Sequence, residues 1–133
     1  MLKTCTLAAA ILIAPAAWAQ SCPDIAGAVK VESERYVVAY RTRPAKIVIG
    51  QHFTMDLAVC PRVGQSAAEH VRVDAYMPEH KHGMNYKVTV QPGDGGRYRA
   101  EGFMFHMPGR WELIFEVRGK GRTDRVKRSV MLD

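Results

Sequence analysis

The sequence predicts an all-β domain of about seven short antiparallel strands packed as two sheets face to face. Three observations carry that reading. Strand-like runs recur at short intervals and are closed by Gly or Pro. Several of them alternate apolar with polar residues, the period-two pattern of a sheet with one wet face. Beyond the first nineteen residues no stretch carries the 3.6-residue periodicity of a helix able to cover a sheet.

The first element lies outside the domain. Lys3 precedes an apolar run, residues 7–14, too short to stay in a bilayer as a spanning helix. Pro15 breaks it, and Ala17-Trp18-Ala19 offers small residues where a signal peptidase reads. Residues 1–19 are therefore expected to be a signal peptide cut near Ala19, and residues 20–133 one exported domain, periplasmic or secreted. No longer apolar run follows, so no stable membrane span is expected after cleavage. Ala19-Gln20-Ser21 before Cys22 does not resemble a lipoprotein cleavage box.

Residues 21–28 read as an irregular lead-in. Residues 36–40 are rich in β-formers and end before Pro44; residues 53–59 alternate and end at Pro61 and Gly64, with 46–49 as an edge piece between them. In residues 71–77, Val71, Val73, Ala75 and Met77 share one face, and Arg72, Asp74 and Tyr76 the other. Residues 86–90 form the fourth strand. The Pro92-Gly93-Asp94-Gly95-Gly96 turn then makes a hairpin with residues 97–105. Parity along that strand puts Tyr98, Ala100, Gly102, Met104 and His106 on one face, read as the buried one. After Pro108-Gly109, residues 111–117 place Trp111, Leu113, Phe115 and Val117 together, and a last strand covers 125–132. An immunoglobulin-like antiparallel β-sandwich packs these segments most economically, with a small closed barrel as the alternative.

The whole chain has 133 residues and a net charge of +6; loss of Lys3 with the signal peptide lowers it to +5. Much of the excess sits at Arg118, Lys120, Arg122, Arg125, Lys127 and Arg128, read as a solvated strand edge. No aromatic-interleaved basic motif supports nucleic acid as a partner. Of the three cysteines, Cys5 leaves with the signal peptide. Cys22 and Cys60 lack C-x-x-C spacing, so a disulfide that pins the lead-in is expected in an oxidising compartment.

Chemistry concentrates in Met77-Pro78-Glu79-His80-Lys81-His82-Gly83-Met84. In an extended loop, side chains two apart point the same way, which would gather His80, His82 and Met84. Met104, His106 and Met107 precede the next turn, and His106 or Met107 would complete the shell if both loops share one end of the sandwich. The donor set suits copper. Thioether sulfur selects Cu(I), imidazole serves Cu(I) and Cu(II) alike, and the lack of a nearby thiolate disfavours structural zinc. His52 and His70 are read as surface residues, Met55, Met77 and Met104 as core, and Glu79 as a solvated loop charge. No nucleophile elbow, phosphate-cradling glycine loop or acid pair marks an enzyme, and none is expected.

Three segments carry a family resemblance: Ala75-Tyr76-Met77-Pro78-Glu79-His80-Lys81-His82-Gly83-Met84, then Gly96-Arg97-Tyr98-Arg99-Ala100-Glu101-Gly102-Phe103, then Met107-Pro108-Gly109-Arg110-Trp111-Glu112-Leu113. In that order, over residues 53–118, the chain resembles the YtkA-like group, related to FixH-type proteins. The resemblance implies an immunoglobulin-like sandwich facing the periplasm or cell exterior, in a group associated with copper handling and cytochrome oxidase assembly. His82, Gly83 and Met84 match the group's His-Gly-Met; His80 stands where a methionine is common. The expected function is a periplasmic copper carrier or chaperone holding one ion, with an oxidase-assembly or copper-export component as protein partner. The alternative is an interaction module without metal that docks on a periplasmic partner.

Overall fold

A computed structural model describes residues 22–133; the expected signal peptide and its cleavage point lie outside them. Nine strands follow in order: β1 (Val29–Glu32), β2 (Tyr36–Arg43), β3 (His52–Pro61), β4 (His70–Met77), β5 (His82–Gly83), β6 (Thr89–Pro92), β7 (Arg97–Met104), β8 (Gly109–Gly119) and β9 (Arg122–Leu132). They build two antiparallel sheets, β1-β2-β3-β7-β6 and β5-β4-β8-β9. The expected sandwich is therefore the architecture. The two strands beyond seven are β1 and β5, both too short to carry a readable alternation.

The core follows from the period of two. Along β4 the residues alternate exposed and buried without a break, so Val71, Val73, Ala75 and Met77 all point inward. Trp111, Leu113, Phe115 and Val117 do the same on β8 and meet Tyr36, Val38, Met55 and Leu57 of the other sheet. Each such side chain removed from water stabilises the fold by about 1.5–3 kcal/mol. A second, smaller cluster on the far side of the five-stranded sheet joins Ile25 to Ala39, Ala58 and Cys60. It is stapled by a Cys22–Cys60 disulfide with a Cα–Cα distance of 5.4 Å.

Three sequence expectations need correction. Residues 46–49 form a loop, not an edge strand, and the strand expected at 86–90 runs from Thr89 to Pro92. The single-face parity from Tyr98 to His106 breaks inside β7. Met55 pairs with Ala100 and Phe53 with Phe103, so β7 spends one more residue than β3 between the same two rungs. Gly102 takes up the bulge at φ +101°. Beyond it the inward positions are Phe103 and Phe105, both fully buried, and Met104 is only half-buried instead of core.

A charged side chain also enters the interior. Arg35, 5% exposed, forms an ion pair with Asp124 at 2.7 Å. Its Nη1 and Nη2 donate to the carbonyls of Gly119 and Arg122 at 2.8 and 3.0 Å. The β1–β2 turn is thereby clamped to the β8–β9 hairpin. On β9 the basic run is partly neutralised at home: Arg122 pairs with Glu34, Arg125 with Glu116 and Lys127 with Glu112. Among the described residues no helix is long and apolar enough to cross a membrane.

Candidate metal centre

Two connections bring the three predicted histidines, His80, His82 and His106, together at one end of the sandwich. Residues 78–81 turn the chain from β4 into β5, and residues 105–108 carry it from β7 in one sheet to β8 in the other. The first connection is a tight turn within one sheet, not the extended loop the spacing suggested. Lys81 N–H donates to the Met77 carbonyl at 2.8 Å and Lys81 takes a left-handed φ of 56°. His82 then pairs with Met77 and Gly83 with Tyr76. His80 and His82 do approach, at 5.8 Å between ring centroids, but through the turn and not through strand parity.

Glu79 is not a free loop charge. Arg110 Nε donates to its carboxylate at 2.7 Å while Arg110 Nη1 reaches Glu112 at 3.1 Å, which ties the turn to β8. The hydrogen bond from Arg110 holds Glu79 below the usual carboxylate range.

His106 completes the gathering. Its ring lies 5.1 Å from that of His82, so the three imidazoles form a chain with His82 in the middle. The floor is Trp111, fully buried, stacked on Phe105 at 4.5 Å and edge-on to His106 and His82 at 5.4 and 6.0 Å. Trp111 Nε1 donates to the Met107 carbonyl at 3.1 Å, which fixes the backbone beside His106. Sequence reasoning did not place Trp111 here, although the Pro-Gly-x-Trp spacing after His106 was its signal. Met84 and Met107 are half-buried and packed against the core. His52 and His70 are exposed, as expected.

Two rings present a nitrogen suited to ligation. His82 Nδ1 lies 3.0 Å from the Gly83 carbonyl. A carbonyl only accepts, so Nδ1 carries the proton and Nε2 presents its lone pair. His106 Nδ1 is buried without a hydrogen-bond partner among the described residues, a condition that native structures seldom leave unexplained. Two imidazoles that share an ion through nitrogens about 2.0 Å from it place their centroids roughly 5–6.5 Å apart. Both observed spacings fall in that range. Among the described residues no three His, Cys, Asp or Glu side chains already enclose an ion position; methionine sulfur lies outside that donor class.

Residues 65–116 match the sequence profile of the YtkA-like family. None of the curated proteins matches the chain. Among solved structures, the chain is similar to a DUF4426 family protein from Pseudomonas aeruginosa PAO1, with a TM-score of 0.49 and 12% identity over 80% of this chain and 97% of that one. The profile match is narrower than the resemblance over 53–118, yet it includes His80, His82, Met84, His106 and Met107 alike. The matched stretch runs from the approach to β4 through the histidine turn and the bulged strand to β8, and over it the chain is similar to the YtkA-like family.

Proposed function

We propose that the chain is a periplasmic copper carrier that holds one ion, Cu(I) in preference to Cu(II), at the histidine end of the sandwich. The observation that carries this reading is the buried, unpartnered Nδ1 of His106 in a ring 5.1 Å from His82. A polar ring nitrogen hidden from water and left unbonded costs about 1–3 kcal/mol, and an ion ligated by its lone pair would recover it. His82 supplies Nε2, freed by its Nδ1 contact with Gly83. His80 is exposed and closes the shell from outside. Met84 or Met107 adds a thioether, the donor that selects the reduced ion.

The arrangement suits carriage more than catalysis. Half-buried anchors retain the ion, and an exposed imidazole is the natural first ligand to exchange with a partner's. That partner is a periplasmic oxidase-assembly or copper-export component. Competition with a Cu(I) chelator tests the reading on the exported chain. Wild type is expected to take up one equivalent, and His82→Ala with Met84→Ala to lose that uptake with an unchanged circular dichroism spectrum. Full affinity in the double variant overturns the proposal. Turnover of bound copper with oxygen or peroxide would replace carriage by redox catalysis.

A further inference from the structure

A second cluster lies away from the histidines, on the outer face of the five-stranded sheet. Arg41 on β2 and Arg99 on β7 stand directly opposite Asp56 on β3, so all three share one face. Arg43 and Arg97 flank them, and together they line an open cleft of about 480 Å³. One wall is the lead-in segment, held by the Cys22–Cys60 disulfide. Arg41 Nη1 and Arg97 Nη2 also bind it, donating to the carbonyls of Ala26 and Asp24 at 2.9 and 3.3 Å.

Donors outnumber acceptors in this cleft. Three guanidiniums converge on Asp56: Arg41 at 3.4 Å, Arg99 at 3.5 Å and Arg43 closer still. Each carboxylate offers about four lone-pair sites against five N–H groups on each arginine, and four arginines face Asp56, Asp24 and Glu101. Opposite Arg99 on its other side stands Gln91, and Arg99 Nε also donates to Glu101 at 2.6 Å. Arg41 Nε is shut off from solvent and has no partner among the described residues. Four arginines against three acids leave this face with a positive remainder.

We propose that this cleft binds a phosphate-type oxyanion, with Asp56 holding the arginines in place until the ligand arrives. Arginine forks suit phosphate geometry, and forks reaching in from β2 and β7 meet the outward oxygens of a tetrahedral anion from two sides. The same chemistry is presented by free phosphate and by a phospholipid headgroup. The proposal stands independently of copper.

Calorimetry at fixed ionic strength tests it with inorganic phosphate, pyrophosphate and vesicles of phosphatidylglycerol or phosphatidylcholine. Saturable binding of the free anions identifies a soluble ligand, and binding only to the phosphatidylglycerol vesicles a headgroup. Arg41→Gln and Arg99→Gln are each expected to weaken binding at least tenfold. Asp56→Asn is expected to strengthen it several-fold, because the internal competitor loses its charge; a purely structural Asp56 would not do this. Thermal melting of each variant confirms that it is folded. Absence of saturable binding to any of these probes, or binding indifferent to all three substitutions, overturns the proposal.

Discussion

Gly102→Ala tests whether the bulge in β7 sets the inward positions beyond it and hence the approach to His106. Gly102 sits at φ +101°, and a Cβ built on it falls 2.4 Å from the Lys87 carbonyl oxygen. The backbone at positive φ costs an alanine about 1–2 kcal/mol. Relief of the contact must push the segment before β6 outward by nearly an ångström, a strain comparable to overpacking at about 1–3 kcal/mol. The expected loss is thus about 2–5 kcal/mol. With a urea slope of about 1–3 kcal/mol per molar, the midpoint falls by on the order of 1–2 M. Gly95→Ala is the control, since Gly95 has φ +64° but nothing within 4 Å of its Cβ position. It bears only the backbone cost, about 1 kcal/mol. Equal midpoints for the two variants would refute the argument that Gly102 is fixed by its neighbour as well as by its own dihedral. Copper uptake by the Gly102 variant should weaken too, because the displaced strand end carries His106.

The remaining expectations concern the staple, the buried ion pair and the site itself. The disulfide closes a separation of 38 residues, so its reduction should remove about 3–4 kcal/mol on the chain-entropy account and lower the melting temperature; coincident melts with and without reductant would contradict this. Asp124→Asn should cost about 3–5 kcal/mol by stranding Arg35, whereas Arg35→Met combined with Asp124→Leu should cost less than either change alone; urea titrations decide. Burial opposes the charge on Asp124, but hydrogen bonds from Ser33 and Arg35 outweigh it and hold the carboxyl below its ordinary range. That contribution is complete above the unfolded value of about pH 3.9 and is lost as pH falls through the lower folded value, so the acid limb of a stability profile should flatten in Asp124→Asn. Trp111 is the one tryptophan within residues 20–133, and one equivalent of Cu(I) should quench its fluorescence in that fragment but not in its His106→Leu variant. Full-affinity binding with no quenching would put the ion elsewhere.

What could be read in the sequence was whatever depends on nearest neighbours along the chain. β4 and β8 were legible because every second residue is apolar and the partner sheet needs nothing more. The Pro92 to Gly96 turn was legible because its glycines fit positive φ. The bulge was half legible: a glycine inside a strand marks one often enough, yet uninterrupted parity was the simpler reading, and it put Met104 and His106 on the wrong face. Arg35 was not legible at all. An arginine that follows Glu32-Ser33-Glu34 reads as solvated, and only the β8–β9 hairpin, some ninety residues away, supplies the carboxylate and carbonyls that let it be buried.

The candidate metal centre shows the same division. The donor types were in the sequence, but the geometry expected to unite them was not the one that does. A left-handed lysine, not strand periodicity, folds His80 back toward His82, and His106 arrives by a change of sheet. That origin has an energetic consequence. Residues at a crossing between sheets are half-buried, so a polar nitrogen there loses water without gaining the ladder partners that a strand interior offers. An apolar side chain in place of His106 would avoid the deficit, and the Trp111–Phe105 stack beside it would accept one. An imidazole that costs stability where a leucine would not is the signature of a group kept for what it binds. On the copper reading proposed above, the tight turn, the bulge and the Arg110–Glu79 tie would serve one end, which is to hold the costly His106 ring, with His80 and His82, within reach of a single ion.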